Sequence, residues 1–199
     1  MQDKNRRLGF IGLGVMGKPM CLNLIKAGYN PVVFDLNPDP VQELVRAGAT
    51  RGESPSEIGA QCDVIFTMLP DSPHVEAVIT GKDGVLKGAR PGSIIIDMSS
   101  IAPLVAKKVA SAAGEKGLSM LDAPVSGGEP KAIDGTLSIM VGGEQEVFNE
   151  VEDLLLVMGA SALLIGGIGS GNICKLANQI MVALHLASMG EAMVFAEKA

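Results

Sequence analysis

The sequence of 199 residues contains no tryptophan, one tyrosine (Tyr29) and only 3% aromatic residues. That shortage argues against binding nucleobases by stacking them on aromatic platforms. Cysteine is scarce too. Cys21, Cys62 and Cys174 form no CxxC pair, and with only two histidines no metal-ligand spacing arises. Free thiols in a reducing compartment and no metal site are the expectation. Positive charge is in deficit, with 16 Lys and Arg against 22 Asp and Glu and a net charge of −6. This speaks against non-specific attachment to DNA or RNA, and an anionic ligand would need a local positive site. The opening MQDKNRRLGF has no apolar run before a small-residue cleavage site, and no uninterrupted run of 18 apolar residues follows. These absences predict a cytoplasmic protein with neither a nucleic-acid nor a membrane partner.

What is abundant is aliphatic: 47% of the residues are hydrophobic, 11 of them methionine. Short apolar runs alternate with helical segments. Strands are predicted at Leu8–Ile11, Val32–Asp35, Val64–Met68 and Ile94–Asp97, and helices at Lys18–Ala27, Pro40–Ala47, Pro55–Ala60, Pro73–Ile79 and Pro103–Glu115. Several helices open on proline, whose missing N–H has no partner in a first turn anyway. The strands are continuous apolar runs, which suits a parallel sheet covered on both faces. The series goes on through Ser119–Ala123, Leu137–Val141, a helix near 144–158 and Ala162–Ile165. The pattern is α/β, a Rossmann-like doubly wound, mostly parallel sheet. A long helix from about Asn172 to the end is apolar around most of its circumference, so it expects a covering partner. The division is a dinucleotide-binding domain over residues 1–170 and an interdomain helix over 171–199, which would lead into an all-helical domain absent from this chain.

Five motifs bear on chemistry. GFIGLGVMG puts Gly12, Gly14 and Gly17 in GxGxxG spacing, after a strand and before a helix, with Asp35 ending the next strand. Gly12 permits the tight turn, Gly14 the approach of a pyrophosphate, and Gly17 close helix–strand packing; Asp35 can hold ribose hydroxyls. An ordinary glycine turn is the competing reading. Asp35 is followed by Leu36 and Asn37, with no Lys or Arg to receive a 2′-phosphate, so NAD is favoured over NADP. TMLP (67–70) and DMSS (97–100) both end strands, where open α/β sheets bind ligands, although each also suits a plain turn or cap. In DAPVSGGEPKAIDGT, Ser126, Gly127 and Gly128 offer a hydroxyl and successive amides suited to a carboxylate; a glycine-rich loop shaped by two prolines is the alternative.

The fifth motif, GSGNICKLANQ, sets Lys175 near the start of a helix, where the dipole repels a cation by typically a few tenths to 1 kcal/mol. Lys175, Asn178 and Gln179 share one helical face. Apolar neighbours and a helix N-terminus would lower the lysine's pKa and fit it for proton transfer. A lysine whose stem packs while its head reaches water is the competing reading. His74, His185 and Cys174 are read as structural.

Together, GFIGLGVMG, DMSS, DAPVSGG and GSGNICKLANQ, in that order, resemble the β-hydroxyacid dehydrogenases over essentially the whole chain. The stretches MLPDSPHV, IDMSSIAP and LDAPVSGGEPKAIDGTLSIMVGG are most similar to the branch that reduces tartronate semialdehyde. The resemblance implies Lys175 as catalytic acid/base. It implies Ser126, Gly127 and Gly128, with Asn178 or Gln179, on a small carboxylate substrate. It places Gly12, Leu13, Gly14, Val15, Met16 and Gly17 on the pyrophosphate, Asp35 on the ribose, Met68, Leu69 and Pro70 by the adenosine side, and Ser100 near the nicotinamide. NAD is the implied cofactor, with NADP less favoured, and homo-oligomers are implied where the helical domain is present. Some relatives carry Asn where this sequence has Gln179, so the owner of that amide role is open. The family's additional helical domain is missing, and truncation of a full enzyme is the expectation.

Overall fold

The computed structural model describes residues 6–199. Its first half is β1 (Leu8–Ile11), α1 (Gly17–Lys26), β2 (Val32–Phe34), α2 (Pro38–Ala47), β3 (Thr50–Arg51), α3 (Pro55–Gln61), β4 (Val64–Thr67), α4 (Ser72–Thr80), α5 (Val85–Gly88) and β5 (Ile94–Asp97). The second half is α6 (Pro103–Glu115), β6 (Ser119–Asp122), β7 (Val125–Ser126), α7 (Gly128–Asp134), β8 (Leu137–Gly142), α8 (Gln145–Met158), β9 (Gly159–Gly166) and α9 (Ser170–Lys198). The strands lie in the order β3-β2-β1-β4-β5-β6-β8-β7, with β9 on β8. From β3 to β6 every pairing is parallel. The order reverses between β1 and β4, and the crevice outside the carboxyl ends of the strands at such a switch point is where doubly wound sheets take ligands.

The central strands are buried on both faces because successive residues feed opposite layers. Phe10, Phe66 and Ile96 join one apolar cluster with Met20 and Leu24 of α1. Ile11, Ile65 and Ile95 join the other with Ile58, Val75 and Val109 of α3, α4 and α6. Phe10 and Phe66 stack across neighbouring strands, their centroids 5.8 Å apart. Cys21 and Cys62 are buried in these layers; burial pushes the Cys62 thiol up to about 12, so both are packing residues rather than nucleophiles.

One region departs from the sequence reading. The stretch 122–136, read as a glycine-rich loop, contains β7 and helix α7. The chain runs on past β6 in extended form and pairs antiparallel with β8, through Asp122↔Gly142 and Val125↔Ile139. Gly127 (φ +139°) and Gly128 (φ +68°) then turn it into α7, and Gly135 (φ +69°) ends that helix. Helix α9 is the long apolar helix expected to need a covering partner. Asn178, Gln179, His185, Ser188 and Glu191 interrupt its apolar run, yet by length and composition the helix could cross a membrane, a test that the core helix of a water-soluble protein also passes. Beyond its first two turns it is exposed: Ile180, Leu184 and Phe195 face solvent, Phe195 at 76%.

Candidate active site

The turn between β1 and α1 is the floor of a cleft of about 450 Å³. Gly12, Gly14, Val15, Met16 and Gly17 line it, with Asp35 at the end of β2 and Met68, Leu69 and Pro70 after β4. Leu13 lies behind this surface, buried, and its N–H donates to Asp35 Oδ2 at 2.6 Å. The Asn37 N–H donates to Asp35 Oδ1 at 2.8 Å, so the carboxylate is locked at the edge of the cleft. Ile11, Phe34, Leu36, His74 and Val78 complete the lining and were not foreseen as site residues. Leu36 carried a signal, since a leucine directly after a strand-ending acid has nothing to pack on; it is 90% exposed at the cleft. His74, read as structural, is exposed near the start of α4 and borders the cleft, held by Asp71 at 2.5 Å.

Each glycine of the turn has a measurable reason. A Cβ on Gly12 (φ +93°) would lie 2.2 Å from the Met68 carbonyl oxygen, and one on Gly17 would lie 1.9 Å from that of Gly12. A Cβ on Gly14 would meet nothing within 4 Å. The space above Gly14 is open, as the approach of a phosphate requires. Helices α2, α3 and α4 are capped by the side chains of Asn37, Ser54 and Asp71. Helix α1 has no side-chain cap and no acid in its first turn. Its N-terminal N–H groups and positive dipole end are left for an anion. No Lys or Arg lines the cleft.

Under the far wall of the cleft lies a buried polar row. Register sets Thr67, Asp97 and Asp122 side by side at the C-terminal ends of β4, β5 and β6. Asp97 Oδ1 accepts from Thr67 Oγ1 (2.8 Å), Ser99 Oγ (2.6 Å) and Ser99 N–H (3.2 Å). Ser99 Oγ in turn accepts the Leu69 N–H at 2.9 Å, which ties the loop after β5 to the cleft. Asp97 Oδ2 is buried with no hydrogen-bond partner among the described residues. Burial pushes this carboxyl up to about 6, against the hydrogen bonds from Ser99 and Thr67 and helped by the neighbouring Asp122. Ser100 is exposed next to this row and does not line the cleft.

Helix α9 starts over the same strand ends. Asp122 accepts the Gly169 N–H (2.6 Å), the Asn172 N–H (2.8 Å) and Asn172 Nδ2 (3.2 Å). Asn172 Oδ1 accepts the Ile101 N–H at 2.9 Å. Burial raises the Asp122 carboxyl, opposed by its bonds from Asn172 and Gly169. The buried residues of α9 are Gly171, Asn172 and Lys175. Lys175, 8% exposed, is the single buried lysine among the described residues. It follows Asn172 by three residues and so shares the face turned to the end of β6 and the loop after β5. Burial lowers its ammonium pKa. Asn178 is half-buried and Gln179 exposed. Ser126 is half-buried, Gly127 and Gly128 are exposed, and β7 carries them beyond the C-terminal end of β6. They are on the same side of the sheet as the cleft but do not line it. Asp122 and Asn172 were quoted inside motifs without a role, because their partners are distant in the chain.

A glycine turn at the switch point, an acid locked at the end of the second strand and an uncapped α1 define a dinucleotide-binding domain of the Rossmann class. Residues 7–167 match the family model for the NAD binding domain of 6-phosphogluconate dehydrogenase, and residues 169–199 that for the NAD-binding of NADP-dependent 3-hydroxyisobutyrate dehydrogenase. The chain belongs to this family, the β-hydroxyacid dehydrogenases, and carries its NAD-binding domain. It is 47% identical over 193 residues to 2-hydroxy-3-oxopropionate reductase of Escherichia coli (strain K12), covering 97% of this chain and 66% of that protein. It is 42% identical over 196 residues to 2-(hydroxymethyl)glutarate dehydrogenase of Eubacterium barkeri, covering 98% and 65%. Among solved structures, 3-hydroxyisobutyrate dehydrogenase of Mycobacterium tuberculosis with L-serine superposes with a TM-score of 0.92 at 36% identity, covering 97% of this chain and 65% of that one. The chain thus spans about two thirds of the length of these relatives.

Proposed function

We propose that the chain is the cofactor-binding part of an oxidoreductase that moves a hydride between NAD(H) and a small 3-hydroxy or 3-oxo carboxylic acid. The reading we favour is reduction of tartronate semialdehyde (2-hydroxy-3-oxopropanoate) to D-glycerate, in keeping with the E. coli relative. The names of the other two relatives keep 2-(hydroxymethyl)glutarate and 3-hydroxyisobutyrate in view; all three have a carboxylate two carbons from the reacting alcohol or aldehyde. Residues 1–170 would form the dinucleotide-binding domain and 171–199 the helix toward a further domain, with assembly into a homo-oligomer.

The observation that carries this reading is Lys175, only 8% exposed, for which no hydrogen bond or ion pair is present among the described residues. Burial lowers its ammonium pKa with no partner to restore it, which fits a proton-transfer group better than a lysine that only packs its stem. A bound nicotinamide supplies or receives the hydride. Lys175 then gives the proton that converts the developing alkoxide to an alcohol, and takes one in the reverse direction. Its lowered pKa suits both tasks. Ser126, Gly127 and Gly128 would orient the substrate carboxylate, with the amide of Asn178 or Gln179 on the hydroxyl side. The uncapped turn at Gly12–Gly17 would bind the pyrophosphate, and Asp35 the adenosine ribose. A cleft without Lys or Arg favours NAD over NADP.

The test is a panel of kcat/KM values for these aldehyde acids with NADH, on the intact gene product and on Lys175→Ala. Loss of kcat by at least about a hundredfold with NADH affinity kept is expected for a lost acid/base group. Near-normal kcat would remove Lys175 from the chemistry, and NADH binding without turnover of any of these acids would make the chain a nucleotide-binding module.

A further inference from the structure

We infer that Asp122 and Asn172 form a clamp that positions Lys175. The clamp has four hydrogen bonds and no solvent-exposed member. Asp122 holds Gly169 and both nitrogens of Asn172, and Asn172 Oδ1 holds the Ile101 N–H. Fixing one helical residue through its main chain and through both polar atoms of its side chain sets the rotational phase of the first turn. Lys175, one turn on and on the same face, inherits that phase. The clamp also joins the lysine to the cleft: Ile101 lies two residues after Ser99, whose hydroxyl accepts the Leu69 N–H.

The slot around Asp122 is shaped for this side chain. A Cβ on Gly142 would lie 2.3 Å from Asp122 Oδ1, and one on Gly171 would lie 3.1 Å from Oδ2. The carboxylate also occupies the positive end of α9, so a cation in the second turn is tolerated there. Asp122 and Asn172 touch neither substrate nor cofactor in this reading; they act through Lys175. The inference rests on Lys175 being the acid/base of the proposed reaction.

The experiment compares Asn172→Ala and Asp122→Asn with the parent protein, in the intact gene product. Two readouts are taken: steady-state kinetics with NADH titration, and the pH midpoint for modification of Lys175 by trinitrobenzenesulfonate, mapped by mass spectrometry. Release of the clamp should cut kcat by tenfold or more and leave the NADH Kd within about threefold. It should also move the Lys175 midpoint up toward the ordinary lysine value of about 10.4, as the amine gains water. Asn172→Ala keeps the Asp122 charge, so a rise there reports exposure and not lost electrostatics. It also decides the matter if Asp122→Asn fails to fold. An unmoved midpoint with kcat within twofold in Asn172→Ala overturns the clamp. If Lys175→Ala itself keeps turnover, the acid/base reading falls instead, and the midpoint alone then judges the clamp.

Discussion

Two glycine turns lead into helices on the same edge of this sheet, and they meet opposite fates. The turn before α1 leaves its helix uncapped, with open space above Gly14. The turn before α9 also ends on spaced glycines, Gly167, Gly169 and Gly171, yet its helix is filled from within by the Asp122 carboxylate. By sequence both could cradle a phosphate. The difference teaches that a glycine-rich helix entry is an anion site only if the protein has not already supplied the anion. At α1 the dipole is left for a ligand; at α9 it is spent on holding a lysine in place.

The comparison breaks first at Gly171. A Cβ there would lie 2.3 Å from the Met140 carbonyl oxygen and 2.7 Å from that of Asp122, both backbone atoms that cannot swing away. Gly171→Ala should lower unfolding stability by about 3 kcal/mol, the upper range for overpacking, measured by urea denaturation. A change under about 0.5 kcal/mol, the usual size for a surface substitution, would mean that the α9 entry is looser than described. Gly14→Ala is the matched opposite. Its φ is not left-handed and its Cβ meets nothing, so the thermal midpoint should stay within about 2 °C. The methyl group would still stand where a pyrophosphate approaches, weakening NADH about tenfold, or 1.4 kcal/mol, by fluorescence titration. Unchanged NADH affinity would show that the phosphates pass elsewhere.

The contrast also marks how far the sequence could be read. GFIGLGVMG was legible because all its signals are local: an apolar strand, three glycines, a helix, then Asp35 closing the next strand. Pro55 and Pro103 gave the starts of α3 and α6 for the same reason. Lys175 stood out because a cation at a helix start is unfavourable by itself. Its support did not stand out. Asp122 is 50 residues from Asn172, and Asn172 is 71 from Ile101, so their pairing needs the sheet register and the placement of α9. The strand and helix at 125–134 were hidden because two residues of strand and a helix of seven residues carry too little periodicity to read. The linking of TMLP to DMSS through Ser99 likewise needed the parallel pairing of β4 with β5.

The smallest expected effect separates the two acids of that buried row. Asp122 has its oxygens engaged; Asp97 has one oxygen engaged and one bare. With its carboxyl near 6 in the fold and about 3.9 in the unfolded chain, Asp97 retains its proton in the folded state at pH values where the unfolded state has released it. Its contribution to stability is therefore present below about pH 4 and lost as pH rises through 6. Asp97→Asn imitates the protonated state. The amide oxygen can still accept from Thr67 and Ser99, and the amide nitrogen takes the place of the bare Oδ2. The variant should match the parent protein at pH 4, lose less stability between pH 4 and 7, and be at least as stable at pH 7, by thermal unfolding across that range. NADH affinity should move less than twofold, since the Ser99 bond to Leu69 does not need the charge. A parent and variant with parallel pH profiles would mean that Asp97 stays ionised in the fold. The bare oxygen would then have a cationic or water partner, and the cleft wall would rest on a charge rather than on a neutral carboxyl.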